Sequence, residues 1–214
     1  MDWGRRAVAR AYAASADSYT DRFADEFSTN ASDRALIRSV LEPLTPGSTV
    51  LDGGCGPAQL SALAVELGLT PIAVDIAVEM LSVARRRLAE PLLACADLLH
   101  LPFRSASFDA VVCWFSVHNL PRDLLPSLLG DVRRVLSSGG RVLLGTHEGT
   151  ATDQFTDEFG ESFCFTYYEG VELAQLLEGA GFTSVRTDKR PPLGGEHQVQ
   201  KLFASAVASP EGRS

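Results

Sequence analysis

The chain has 214 residues, of which 45% are hydrophobic and 21% are charged, with a formal net charge of −8 at pH 7. This length and composition predict a single compact domain with a substantial core, and the negative charge argues against a nucleic-acid partner because phosphate binding needs a basic surface. No stretch has the length and apolar character of a membrane span or a secretion signal, so we expect a cytoplasmic protein without a membrane partner.

The cysteines and histidines do not have the spacing of metal ligands, so no metal site is predicted. Cys95 and Cys113 fall in apolar strand patterns and are expected to be small core residues, whereas Cys55 lies within a glycine-rich loop. Reduced thiols of this kind are typical of the cytoplasm.

The amino-terminal segment, residues 1–45, predicts a helical cap. Amphipathic spacing over residues 8–30 indicates one or two helices. Ser32 is a suitable N-cap for a further helix that continues to Leu41, and Pro43 brings that helix to its end.

A glycine-rich loop follows the first predicted strand, in the sequence VLDGGCGPA over residues 50–58. The apolar run ends in Asp52, and Gly53, Gly54 and Gly56 precede a helical pattern. Glycine allows positive φ and a close approach of the backbone to a ligand, so such a loop can form the floor of a nucleotide-like pocket. Glycine-rich turns of this type also occur without a ligand, and the loop alone leaves both interpretations open.

The elements after the loop favour the ligand-binding interpretation. Residues 58–67 have the apolar spacing of one helical face, and Gly68 is suited to the C-terminal cap of that helix. A short strand over residues 71–74 then ends in Asp75. A carboxylate at this position can accept hydrogen bonds from both hydroxyls of a ribose, although a single strand-end Asp is often a turn former.

Strands and helices continue to alternate from residue 49 to residue 146, which is the pattern of a parallel sheet covered on both faces. Further helices are predicted over residues 122–136 and 169–180. Two last strands are predicted near residues 184–190 and 199–207.

Several motifs along the chain carry a family resemblance: VLDGGCGPA (50–58), AVDIAVEML (73–81), ACADLLHLPF (94–103), SFDAVVCWFSVHNL (107–120) and DVRRVLSSGGRVLL (131–144), the last of which looks like a helix, a glycine turn and the fifth strand. On these motifs the chain resembles the class I S-adenosylmethionine-dependent methyltransferases, particularly their small-molecule branch. The resemblance extends from about Thr49 to Gly145 and implies an α/β, Rossmann-like, doubly wound fold. The expected sheet is mostly parallel and seven-stranded, with helices on both faces and an antiparallel last strand. The family usually has a glycine where Ala58 stands, so we expect a more crowded pocket floor here.

The resemblance also implies how the cofactor, S-adenosyl-L-methionine, would be held. Asp52 would order the loop and reach the methionine ammonium, Asp75 would bind the ribose hydroxyls, and Asp97 would accept from the adenine amine. Ile76 and Leu98 also suit ordinary core positions. The candidate cofactor-binding residues are Asp52, Gly53, Gly54, Gly56, Asp75, Ile76, Asp97, Leu98 and Trp114.

Two histidines are candidates for a general base. His118 follows the fourth strand and His147 follows the fifth, and an imidazole can take a proton near neutral pH. A structural role is the alternative for each of them.

The acceptor site is predicted between the amino-terminal helices and the segment of residues 147–168. Tyr12, Tyr19, Phe163 and Tyr167 are the candidates to line it, and a minor core beneath a surface loop is the alternative. Other aromatic residues in the segment are Phe155, Phe159, Phe165 and Tyr168, and acids are interleaved at Asp153, Asp157, Glu158 and Glu161.

We expect one methyltransferase domain over residues 1–214. Its parts would be the helical cap, a Rossmann-like core over residues 46–208 with a substrate lid at 147–168, and a tail at 209–214. The protein is expected to be a monomer or a homodimer.

The implied function is methyl transfer from S-adenosylmethionine to a small-molecule acceptor by direct displacement. One alternative is a cofactor-binding regulatory module without catalysis. Another is an NAD(P)-dependent oxidoreductase, whose glycine pattern needs a third glycine where Gln59 stands.

Overall fold

The computed structural model describes residues 4–25, 27, 30–90, 92–156, 160–194 and 196–210. Residues 211–214 of the predicted tail and residues 157–159 of the predicted lid lie outside this set. Among the described residues, no helix combines the length and the apolar character that a bilayer span requires.

The strands and helices of residues 49–146 occur where the alternating pattern predicts them, whereas the two strands within residues 152–166 were not predicted. The strands are β1 (Thr49–Gly53), β2 (Thr70–Asp75), β3 (Leu92–Cys95), β4 (Phe108–Trp114), β5 (Leu136–His147), β6 (Thr152–Thr156), β7 (Ser162–Thr166), β8 (Phe182–Arg190) and β9 (Lys201–Ala208). The helices are α1 (Arg5–Ala14), α2 (Ala16–Phe23), α3 (Ala31–Leu41), α4 (Gln59–Glu66), α5 (Val78–Arg87), α6 (Leu125–Val135) and α7 (Gly170–Gly179).

Seven strands form one sheet in the order β3-β2-β1-β4-β5-β9-β8. The first five pair in parallel, and β9 lies antiparallel between β5 and β8. Within β1, Val50 and Leu51 belong to different hydrophobic clusters, as expected when successive side chains point to opposite faces. The predicted fold, with its antiparallel last strand, is confirmed.

The carboxyl ends of the parallel strands meet at one edge of the sheet. Asp52 lies near the end of β1, Asp75 ends β2, and Phe115 follows β4. The connections that follow these strands therefore converge on the same side of the molecule, which is where open α/β sheets bind ligands.

Three local predictions are wrong. Asn30, not Ser32, caps α3: its Oδ1 atom accepts a hydrogen bond from Asp33 N at 3.1 Å. Cys95 is exposed instead of buried, because it ends the edge strand of the sheet. The glycine turn predicted within residues 137–140 is instead an irregularity inside β5, where the pairing with β4 shifts register and Gly139 has φ +75°.

The segment predicted as a lid contains regular structure. β6 and β7 pair as an antiparallel hairpin separate from the main sheet. The side chain of Phe155, and the whole of Asp157, Glu158 and Phe159, lie outside the described part of the chain.

Candidate active site

The three predicted carboxylates border one cavity, which we call the acid cavity. Asp52, Asp75 and Asp97 reach it from three neighbouring strand ends. Five residues that the resemblance assigns to cofactor binding also line it: Gly54, Gly56, Ile76, Leu98 and Trp114. Gly53 does not line it: it is the last residue of β1, and its carbonyl accepts a hydrogen bond from Ser116 Oγ at 2.7 Å.

The glycine loop is held against β2 and β4. Gly54 N and Cys55 N both donate to Val74 O at 2.9 Å, which fixes the loop on the neighbouring strand. Gly54 has φ +73°, and a Cβ at this position would lie 2.4 Å from Ser116 Cβ. Ala58 also has positive φ, at +63°, so the alanine at the family's glycine position carries a backbone cost of about 1–2 kcal/mol.

Two carboxylates of the acid cavity also organise the backbone around it. Asp52 is 2% exposed, and its Oδ2 accepts hydrogen bonds from Ser61 N at 3.1 Å and Ser61 Oγ at 2.7 Å. Asp75 accepts from Gly56 N and Ala77 N, both at 2.9 Å. Burial raises the pKa of Asp52 to about 7 and also raises the pKa of Asp75.

Asp97 links the acid cavity to the amino-terminal helices. Its carboxylate accepts from Arg5 Nη1 at 2.5 Å and from Leu99 N at 2.9 Å. Arg5 begins α1 and lines the acid cavity itself. The ion pair therefore places α1 over this cavity.

A second cavity of about 740 Å³, which we call the aromatic cavity, is contiguous with the first. The two cavities share part of their lining, which therefore forms the junction between them: Tyr12, Tyr19, Gln59, Trp114, Phe115 and Asn119. All four residues predicted to line the acceptor site, Tyr12, Tyr19, Phe163 and Tyr167, line the aromatic cavity.

His118 and His147 both line the aromatic cavity, and their ring centroids are 5.0 Å apart. They are 5% and 6% exposed, and neither Nδ1 atom has a hydrogen-bond partner among the described residues. Burial lowers the pKa of His118 to about 3 and that of His147 to about 2. Both imidazoles are therefore neutral at physiological pH and are weaker bases than an exposed histidine.

The linings of the two cavities also include residues that the sequence analysis did not select as candidates. Phe115, at the junction, has φ +51°, a conformation that bulky side chains rarely adopt outside functional sites. Lys201 begins an otherwise apolar strand, and a charge at that position could have indicated a functional residue, whereas Arg5 and Asn119 have no distinctive sequence pattern.

Among the described residues, no group of three His, Cys, Asp or Glu side chains could hold a metal ion.

Comparison with known proteins gives a family match. Residues 51–144 match the family described as methyltransferase domain. Over 144 residues, the chain is 34% identical to a malonyl-[acyl-carrier protein] O-methyltransferase of Erwinia pyrifoliae, covering 66% of this chain and 52% of that protein. The chain thus spans about half the length of this curated relative.

Two solved structures share the fold. One is 1,6-didemethyltoxoflavin-N1-methyltransferase of Burkholderia thailandensis with bound 1,6-didemethyltoxoflavin and S-adenosylhomocysteine; its TM-score is 0.66 at 21% identity, covering 94% of this chain and 91% of that one. The other is a DhpI–SAH complex, with a TM-score of 0.73 at 24% identity, covering 97% and 98% of the two chains.

Proposed function

We propose, since this chain belongs to the class I S-adenosylmethionine-dependent methyltransferases, that it binds S-adenosylmethionine in the acid cavity and methylates a small molecule held in the aromatic cavity. The observation that carries the proposal is the convergence of Asp52, Asp75 and Asp97 on a cavity that opens into a second one. A methyl donor and an acceptor need such adjoining sites.

The residues of the acid cavity fit this cofactor chemically. S-adenosylmethionine carries an ammonium and a sulfonium cation and presents hydroxyl and amine donors, so it needs a cavity rich in acceptors. The three carboxylates supply them, and Gln59 Oε1 is a further buried acceptor without a partner among the described residues. Asp52 would face the ammonium, Asp75 the ribose, and Asp97 the adenine amine.

When bound, the cofactor supplies a methyl group that its positive sulfur activates toward direct displacement by a lone pair of the acceptor. The protein's contribution is alignment and the exclusion of water. Asn119 Nδ2 donates to Tyr12 OH at 2.9 Å and so ties α1 to the segment after β4 at the junction. The neutral imidazoles of His118 and His147 can exchange hydrogen bonds with the acceptor, which is the role that we assign to them.

Thermal shift and calorimetry with S-adenosylmethionine, S-adenosylhomocysteine and NADH test the proposal. We expect stabilisation by the first two ligands and none by NADH, because a ligand that binds only the folded state raises the melting temperature. Stabilisation by NADH alone would favour the oxidoreductase. Cofactor binding without methyl transfer to any of a broad panel of acceptors would favour the regulatory module.

Replacing Asp75 with alanine is expected to weaken S-adenosylhomocysteine binding by about 1–3 kcal/mol, the range for hydrogen bonds to a charged group. Calorimetry at fixed salt measures the change. Because Asp75 also accepts from Gly56 and Ala77, Asp75→Asn is the matched variant that keeps an acceptor oxygen there while removing the charge. Unchanged affinity for S-adenosylhomocysteine in both variants would contradict the proposed binding of the ribose hydroxyls by Asp75.

Cofactor binding is expected to release a proton near neutral pH. Asp52 in the free protein has a pKa of about 7, so below that value it is largely protonated. A bound cation favours the ionised carboxylate and lowers its pKa, so affinity should rise with pH, by up to about tenfold per unit, as the pH approaches about 7 from below.

Calorimetry in two buffers of different ionisation enthalpy counts the released protons. The control is Asp52→Asn, which cannot ionise and should release fewer protons and show a flatter pH profile. Proton uptake by the wild type, or affinity that decreases as pH rises over this range, would contradict the assignment.

A further inference from the structure

The ionic side chains on one wall of the aromatic cavity neutralise one another. Lys201, the first residue of β9, is 3% exposed; its Nζ atom lies 3.9 Å from the carboxylate of Glu196 and donates to His197 O at 2.8 Å. Glu196 also accepts from Arg190 at 2.7 and 2.8 Å, and Arg190 pairs in turn with Asp33. We call these two cations and two carboxylates the balanced group.

The other titratable residues of the lining do not change this balance. Arg22 and Asp153 have opposite charges, and both are exposed, so that solvent screens them. Burial lowers the pKa of His118, His147 and His197, and all three imidazoles are therefore neutral at physiological pH. The described lining of the aromatic cavity thus has no net formal charge.

A charged ligand is expected to bind poorly in such a cavity. Moving a charge from water into a buried site costs free energy unless an opposite charge or hydrogen bonds compensate it. Both cations of the balanced group already have carboxylate partners, so an anion would have to displace a carboxylate from its cation. A cationic ligand meets the same obstacle, because both carboxylates are engaged. The lining therefore favours an uncharged ligand.

One wall of the cavity is a continuous row of rings. The ring centroids of Phe115 and Phe165 lie 5.1 and 4.9 Å from that of His147, and the Tyr167 centroid lies 5.1 Å from that of Phe165. Aromatic rings attract one another in offset-stacked and edge-to-face pairs beyond the effect of buried area. An aromatic ligand can form such pairs with this wall, and an alicyclic ligand cannot.

Helices α1 and α2 supply a second set of rings. The Tyr19 centroid lies 5.6 Å from that of Tyr12 and 4.6 Å from that of Phe23, and all three residues line the cavity. The cavity volume of about 740 Å³ falls within the range of about 300–1,000 Å³ that is typical of small-molecule sites. This volume has room for a fused-ring molecule.

We propose that the aromatic cavity binds an uncharged, planar aromatic acceptor and selects against ligands that carry a carboxylate or an ammonium group. The inference rests on the proposed function only for the ligand's role as methyl acceptor. In that role, a lone pair of the neutral acceptor forms the new bond to the methyl carbon while the bond from that carbon to the sulfonium sulfur breaks. The methylated acceptor then releases its proton to solvent.

Four probes of similar size test the inference by calorimetry on the protein saturated with S-adenosylhomocysteine. At neutral pH, 2-naphthol is uncharged, 2-naphthoate is an anion and 2-naphthylmethylammonium is a cation, whereas decahydro-2-naphthol has the carbon skeleton of 2-naphthol without aromatic rings. We expect 2-naphthol to bind at least about tenfold more tightly than either ion. It should bind about 3- to 10-fold more tightly than decahydro-2-naphthol.

Glu196→Gln tests the charge balance through a gain of affinity, which unfolding cannot produce. The variant removes one negative charge from the balanced group and keeps an oxygen for the hydrogen bond that Glu196 accepts from Leu193 N at 2.8 Å. It should bind 2-naphthoate at least about tenfold more tightly than the wild type does, with little change for 2-naphthol. The matched control is Glu42→Gln, because Glu42 is 49% exposed after α3 and pairs with Arg38. This control should bind all four probes like the wild type.

Phe165→Leu tests the aromatic wall. The variant keeps an apolar side chain but removes a ring, so affinity for 2-naphthol should fall by about 3- to 10-fold. The matched control is Phe103→Leu, because Phe103 is also half-buried but packs against Phe108 and lines neither cavity. It should bind 2-naphthol as the wild type does.

Equal or tighter binding of either ion by the wild type would overturn the inference. Equal binding of decahydro-2-naphthol, undiminished binding of 2-naphthol by Phe165→Leu, unchanged charge selectivity in Glu196→Gln, or no binding of 2-naphthol at millimolar concentration would also overturn it. If S-adenosylhomocysteine gives no thermal shift while 2-naphthol binds with the expected selectivity, the proposed function fails and the selectivity of the aromatic cavity stands.

Discussion

Replacing Arg190 with alanine is expected to lower the free energy of unfolding by about 3–5 kcal/mol, the cost of removing one partner from a buried ion pair. Arg190 Nε and Nη2 donate to the carboxylate of Asp33 at 2.6 and 2.5 Å, and Nη1 and Nη2 donate to Glu196. The side chains of Arg190 and Asp33 are 11% and 1% exposed. Without the guanidinium, two carboxylates lose their main cation at once.

Urea unfolding measures this change. The control is Arg38→Ala, which removes an exposed pair with Glu42 on α3, where both side chains are more than a third exposed. That variant should lose no more than about 0.5 kcal/mol. Arg190→Lys should recover only part of the stability, because an ammonium cannot bond two carboxylates in the forked geometry. A loss below about 1 kcal/mol for Arg190→Ala would mean that water solvates the two acids when the arginine is absent.

Gly54→Ala is expected to destabilise the protein by about 2–5 kcal/mol and to weaken cofactor binding. Two costs combine: positive φ costs an alanine about 1–2 kcal/mol, and overpacking typically costs about 1–3 kcal/mol. The overpacking arises because the new Cβ would lie 2.4 Å from Ser116 Cβ and 3.0 Å from Ser116 Oγ. Since Gly54 lines the acid cavity, the loop must move away from the geometry that forms the cavity floor.

Gly139→Ala separates the two costs. Gly139 has φ +75°, close to that of Gly54, but a Cβ at this position would meet no atom of the described residues within 4 Å, so only the backbone cost should be measured. The second control is Ser116→Gly, which removes both clashing atoms. In a double-mutant cycle, Gly54→Ala should cost less in the Ser116→Gly background, and equal costs in both backgrounds would refute the steric explanation.

The sequence was most informative where the structure depends on residues that are close together in the chain. The helix of residues 58–67 and its glycine cap appear as α4, followed by Gly68 at φ +73°. Both hydrogen bonds of the cap are present, from Gly68 N to Val65 O and from Leu69 N to Ala64 O. Local spacing was sufficient here because the determining contacts lie within a few residues.

Predictions from the local sequence pattern were wrong at positions whose environment depends on residues that are distant in the sequence. Cys95 has the apolar context of a core residue, but β3 is an edge strand, and the order of strands in the sheet leaves that side chain exposed. Asn30 was missed as the cap of α3, although its side chain is as suitable as that of Ser32. In the structure Ser32 Oγ itself donates to the capping Oδ1 atom of Asn30 at 2.8 Å.

The sequence alone determined the acid cavity: strands that run parallel end at one edge, so acids at successive strand ends must converge there. For the aromatic cavity the sequence supplied six lining residues, Tyr12, Tyr19, His118, His147, Phe163 and Tyr167, and only the tertiary structure decided which other groups lie beside them. The antiparallel insertion of β9 beside β5 sets the register that places Lys201 opposite His147, and the packing of α1 brings Arg5 to Asp97. Strand register and helix docking depend on the packing of the whole core, which no short window of sequence contains.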